Sequence, residues 1–76
     1  MQKRSLTLGG HRTSLALEPA FWSALAALAA ERGLPLAHLV AEIDRGRGDE
    51  GLASAVRVHL LEHFRHAGPG APARSG

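Results

Sequence analysis

Cysteine is absent from the 76 residues, so neither a disulfide framework nor a cysteine-ligated zinc site can hold the chain together. Aromatic side chains are scarce, with Phe21, Trp22 and Phe64 the full set. No run of 18 apolar residues occurs, which removes a single membrane-spanning helix. Lys3 and Arg4 have no apolar segment behind them, so no secretory signal is legible. A cytoplasmic location is the expectation, and the lack of cysteine fits it. Length excludes as much as composition does. A dinucleotide-binding or barrel enzyme needs far more chain, so one small, non-enzymatic domain without a cofactor is expected. A domain this short buries only about 60% of the surface its unfolded chain exposes. Without disulfides the remaining supports are a metal or a second copy, and a homodimer is the expectation. The abundance of Ala, Gly, Arg and Pro suggests a GC-rich bacterial source.

The net charge is +2, but it is unevenly spread. Residues 1–17 hold Lys3, Arg4 and Arg12 and no acid, whereas residues 34–50 set Arg45 and Arg47 against Glu42, Asp44, Asp49 and Glu50. A basic pole of this kind, which a dimer presents twice, is the electrostatic footprint of a nucleic-acid binder. A solvated basic arm has the same composition.

The first 17 residues have a period of two. Leu6 and Leu8 alternate with Ser5 and Thr7, and Thr13, Leu15 and Leu17 alternate with Arg12, Ser14 and Ala16. That alternation predicts strand with one apolar face, and Gly9-Gly10 marks either a hairpin turn or a flexible break. At Glu18-Pro19 the period changes. Pro suits a first helical position, where its missing N–H would be unpaired anyway. Phe21, Trp22, Leu25, Leu28 and Ala29 then fall at spacings of three and four, and Gly33 stops the helix. A helix over about 19–32 follows. Pro35 opens a second, with Leu36, Leu39, Val40 and Ile43 as its stripe, and the glycine-rich segment 45–51 ends it. A third helix covers about 52–65, with Leu52, Val56, Leu60 and Phe64 on one side. Val58 and Leu61 widen that arc, so burial on more than one side is expected. Residues 1–66 read as one domain and 67–76, which hold no apolar anchor, as a disordered tail. The fold class is mainly α with an N-terminal β-ribbon: a strand or short hairpin, then three helices. A lone strand or hairpin makes no stable sheet. Pairing with the same strand of a second chain removes the open edge and gives an intertwined, symmetric homodimer.

A basic strand, a turn into a helix, a glycine-containing turn and a second helix resemble the Arc/MetJ-type ribbon-helix-helix DNA-binding domain over roughly residues 11–45. The string His-Arg-Thr-Ser-Leu-Ala-Leu-Glu-Pro-Ala-Phe-Trp at 11–22, with Ala-Ala-Glu-Arg-Gly-Leu after it, is similar to a branch of short bacterial proteins of that family. In that branch a third helix of the type Ala-Val-Arg-Val-x-x-Leu-Glu-His follows, as it does here at 55–63. The likeness then covers about 3–66.

The resemblance implies that two strands pair across a two-fold axis and that the ribbon enters the major groove of double-stranded DNA. Leu15 and Leu17 would face the dimer core with Thr13, and Arg12, Ser14 and Ala16 would face outward. Arg12 is suited to bidentate contact with guanine O6 and N7, Ser14 to either base type, and Ala16 to a thymine methyl. The resemblance also puts the N-terminus of the second helix, at Leu36, against phosphate. Here Leu34-Pro35-Leu36 stands where the family has a polar residue, and proline donates no N–H. Lys3 and Arg4 are the candidates to supply the missing phosphate charge. The implied role is transcriptional regulation.

Two other readings stand beside this one. Arg12, Ser14 and Ala16 also fit a plain solvent face, and the same fold serves as a dimeric, antitoxin-like module that binds a protein partner. Such modules carry apolar anchors in a tail, which residues 67–76 lack. His59-Leu60-Leu61-Glu62-His63 matches the inverted zinc-protease pattern, and His59 and His63, at i and i+4, share a helix face with His66 nearby. A protease also needs a third ligand on another element and a cleft, so these histidines read as structural and no metal is expected. Trp22 reads as core or dimer packing. Arg57, amid apolar neighbours, reads as a salt-bridge former, with Glu42, Asp44 or Glu62 as partner.

Overall fold

The computed structural model describes residues 1–67. Two strands, β1 (Gln2–Leu8) and β2 (His11–Leu17), are followed by three helices, α1 (Pro19–Arg32), α2 (Leu36–Arg45) and α3 (Leu52–Ala67). The Gly9-Gly10 break is a hairpin turn. Both glycines have positive φ, 56° and 91°, as the tightest two-residue turns require for their twist to match the strands. β1 and β2 therefore pair antiparallel, in a register that sets Thr7 opposite Arg12, Ser5 opposite Ser14 and Lys3 opposite Ala16. Residues 4–8 do form a separate strand, and it begins at Gln2. β1 of the same chain covers one edge of β2, so that edge is closed without a second copy.

Pairs directly opposite in an antiparallel ladder share a face. Gln2, Arg4, Leu6 and Leu8 thus lie with His11, Thr13, Leu15 and Leu17 on the inner face. Leu8, Leu15 and Leu17 are buried there, and Leu17 is fully so. α1 starts as its proline suggests, with Glu18 as an extended N-cap residue, and stops at Gly33 in the left-handed conformation (φ 68°), whose N–H caps Ala29 and Ala30 carbonyls. The chain then bends by 98° into α2. Trp22, Leu25, Leu28 and Ala29 of α1 meet Leu39, Val40 and Ile43 of α2 and Ala55, Val56 and Leu60 of α3 in one core beneath the hairpin. Among the described residues no single helix is long and apolar enough to cross a membrane.

Two expectations are corrected. The wide apolar arc of α3 is buried on one side only. Val58 (47% exposed), Leu61 (58%) and Phe64 (40%) face outward beside Phe21 and Ala24 of α1. Arg57 pairs with Glu18 rather than Glu42, Asp44 or Glu62, holding it through two hydrogen bonds of 3.0 and 3.2 Å. Packing decides this: α3 lies across the start of α1, so Glu18 is the carboxylate in reach, and Glu42 is taken by Arg32 at 2.8 Å. The third helix runs to Ala67, one residue into the expected tail, and the rest of that tail lies outside the described residues.

These two ion pairs predict an acid limb of stability. A hydrogen bond to backbone and then the Arg57 guanidinium hold the Glu18 carboxyl below its usual range, and Arg32 does the same for Glu42. Each contribution is present above the ordinary carboxylate range near pH ~4 and is lost as pH falls through the lowered folded values. Glu18→Gln combined with Glu42→Gln should therefore flatten the fall of the melting temperature between about pH 5 and 3, as thermal melts by circular dichroism would read. An acid limb as steep as that of the wild type would place its origin elsewhere.

Candidate nucleic-acid interface

The hairpin has an inner face, pressed on the helices, and an outer face built by the pairing register. Lys3, Ser5 and Thr7 stand on β1 beside Ala16, Ser14 and Arg12 on β2. All of these are exposed except Ala16, which is half-buried. Nothing larger than a threonine methyl on this face is apolar, and its two cations sit at opposite ends of the ribbon. Among the described residues neither Lys3 nor Arg12 has an acidic partner, since every ion pair lies in residues 18–66. The face is therefore an uncompensated basic surface of small hydrogen-bonding side chains, one that a major groove, about 12 Å wide, can admit.

Arg12, Ser14, Ala16 and Lys3 come together on this face. Arg4 does not. It sits on the inner face, where its guanidinium carbon stacks 4.5 Å above the Trp22 ring. The Trp22 Nε1–H donates to the Gln2 carbonyl at 2.8 Å. Trp22, buried to 2% exposure, thus clamps the first strand from below, through a cation–π contact and a hydrogen bond. Charge counting alone cannot separate Lys3 from Arg4. The alternation of β1, followed one strand further towards the N-terminus, does.

Leu36 opens α2 with Pro35 as an extended N-cap residue and no side-chain cap. Its own side chain is half-buried against the core, and its backbone amide lies in the first turn of α2, where N–H groups have no intrahelical partner. Gly9 of the hairpin turn borders the same groove as Leu34 and His38, which brings the turn end of the ribbon close to the start of α2. Ser5 and Thr7 of β1 share this outer face with Ser14 and Arg12. The signal was available in the alternation of Leu6 and Leu8, but it acquires meaning only once the turn sets the register.

The histidines lie away from this face. His63 Nε2 is 3.2 Å from Glu31 Oε1 and His66 Nε2 is 3.3 Å from Glu62 Oε1. His59 and His63 are half-buried on α3. Among the described residues no three His, Cys, Asp or Glu side chains lie together as a metal site would need.

The sequence model of a family described as the ribbon-helix-helix domain matches residues 1–64. No curated protein and no solved structure matches the chain.

Proposed function

Because the chain belongs to the ribbon-helix-helix family, we propose that it is a sequence-specific DNA-binding protein, a transcriptional regulator that acts as a homodimer with its β-ribbon in the major groove. Members of this family generally bind DNA as dimers, as regulators or as antitoxins. The observation that carries the reading is the outer ribbon face, with its exposed Arg12 and Lys3 and no carboxylate beside them. Arg12 reads guanine, Ser14 an adjacent base edge and Ala16 a thymine methyl. Lys3 and the backbone amide of Leu36 contact phosphate. Arg4 serves the interface from beneath, by holding β1 on Trp22.

The test is a selection of genomic DNA fragments by the purified protein, followed by titration at several salt concentrations. Enrichment of a common sequence is expected, with log affinity falling linearly with log salt. Lys3→Ala should weaken binding to every sequence alike and reduce the salt slope by about 1 per contact. Absence of any enriched sequence would overturn the reading. A second reading, a dimeric module that docks a protein partner, is favoured by the exposed Val58, Leu61 and Phe64, and it predicts that neither Lys3 nor Arg12 matters to DNA.

A further inference from the structure

We propose that the exposed apolar patch between α1 and α3 is covered by a second copy of this chain, as the helical half of a two-fold interface whose other half is the open edge of β2. The inference rests on the reading of the protein as a homodimer, and it names the surface through which the third helix takes part.

The patch is compact. Val58, Leu61 and Phe64 of α3 are 47%, 58% and 40% exposed, and with Ala20, Phe21 and Ala24 of α1 they border one groove. Their spacing of three sets them along one side of α3. Val56 and Leu60 lie on another side of the same helix, sealed in the core. α3 is therefore apolar on two sides, and a single chain covers one of them. A helix apolar over so much of its circumference is the kind that ends up buried on more than one side, and a contiguous exposed apolar patch marks an interaction surface.

Position selects the occupant. α1 and α3 pack against β2, whereas α2 packs against β1, so the groove between α1 and α3 lies on the β2 side of the molecule. The sheet has two strands, so on that same side β2 presents an unpaired edge, the edge at which a second β2 can join across a two-fold axis. Arg57 links the two features. It holds Glu18, the residue directly after β2, and its guanidinium carbon lies 5.7 Å from the centre of the Phe21 ring. Patch and edge thus form one continuous surface, and a chain that pairs at the edge is brought over the patch.

Charge agrees. A two-fold contact is isologous and sets each group of the surface near its own copy, so a charged patch would repel itself. Among the described residues Arg57 is the one charged side chain that borders the groove, and Glu18 neutralises it at 2.9 Å. The relief is mixed as well, with the large Phe64 on α3 and the small Ala20 and Ala24 one turn apart on α1, as a surface that interdigitates with its own copy requires.

The test has two arms. Leu61→Cys places a thiol in the patch of a chain that has no other cysteine. Its labelling by a small maleimide is followed in samples that sediment as dimers and in urea-unfolded chain. Labelling in the dimer is expected to be slower by about tenfold or more, because thiol reactivity follows exposure. A smaller slowing in dimeric samples would overturn the proposal, leave the homodimer standing, and free the patch for a protein of another kind. In the second arm, Leu61→Glu sets a carboxylate against its own copy. Its dissociation constant in sedimentation equilibrium is expected to rise by about 100-fold or more. A variant that dimerises as the wild type does would overturn the proposal. A wild type that stays monomeric at every concentration would overturn both the proposal and the homodimer on which it rests.

Discussion

Arg12→Ala is expected to lower affinity for the selected fragment by about 30-fold to 10⁴-fold, from about 1–3 kcal/mol per bidentate guanine contact and two contacts per dimer. The size follows from what stands on the ribbon. Lys3 is the other cation of the outer face, and it lies at the opposite end, beside Ala16. No second long donor is placed to take over. The substitution removes no buried surface, since Arg12 is exposed, so melting should change by no more than about 0.5 kcal/mol. Loss of preference for guanine at the contacted position should accompany the loss of affinity. Fluorescence anisotropy with the selected fragment and its guanine-substituted variants reads both. Equal binding by wild type and variant, both folded, would remove the ribbon from the interface.

Trp22→Ala should abolish the folded state at ordinary temperature or leave it barely populated. Replacing a buried tryptophan by alanine costs about 3–5 kcal/mol, and a folded unit of this length holds only about 3–10 kcal/mol in total. Here the loss also strips Arg4 of its ring and Gln2 of its donor, so β1 loses its anchor at the end away from the turn. A fall in melting temperature of about 12–40 °C is expected. Trp22→Phe keeps most of the apolar volume and deletes the N–H, at a cost of about 1 kcal/mol. The pair separates packing from the hydrogen bond in a thermal melt. An alanine variant that melts within about 3 °C of the wild type would mean that the clamp contributes nothing.

Much of this architecture can be read from the chain itself. Helix α1 is bounded by Pro19 and Gly33, residues that act through local backbone geometry and leave a mark at a fixed position. The inner leucines of β2 follow from alternation in the same way. What escaped is whatever depends on meeting across space. The partner of Arg57 is set by how α3 crosses α1, and no spacing in the sequence encodes that crossing. The outward side of α3 looked buried because its residues are apolar, yet periodicity reports only which residues share a face, not whether anything covers it. The outer face of the hairpin was half legible. Arg12, Ser14 and Ala16 follow from β2 alone, but Lys3 and Arg4 are adjacent cations that part company only when the register sends one outward and the other over Trp22.

The Gly9-Gly10 turn also bears on how the molecule is made. A ribbon assembled from two chains cannot close until they collide, so its formation is second order and slows as protein becomes dilute. A ribbon closed by a two-residue turn joins residues close together in sequence, and hairpins of this kind form in about 1–10 μs. Contacts so local favour fast folding. The outer face of this hairpin is then set within each newly made chain before any encounter with a second. Its rate of appearance is first order, the same in a cell holding a few copies as in one holding thousands.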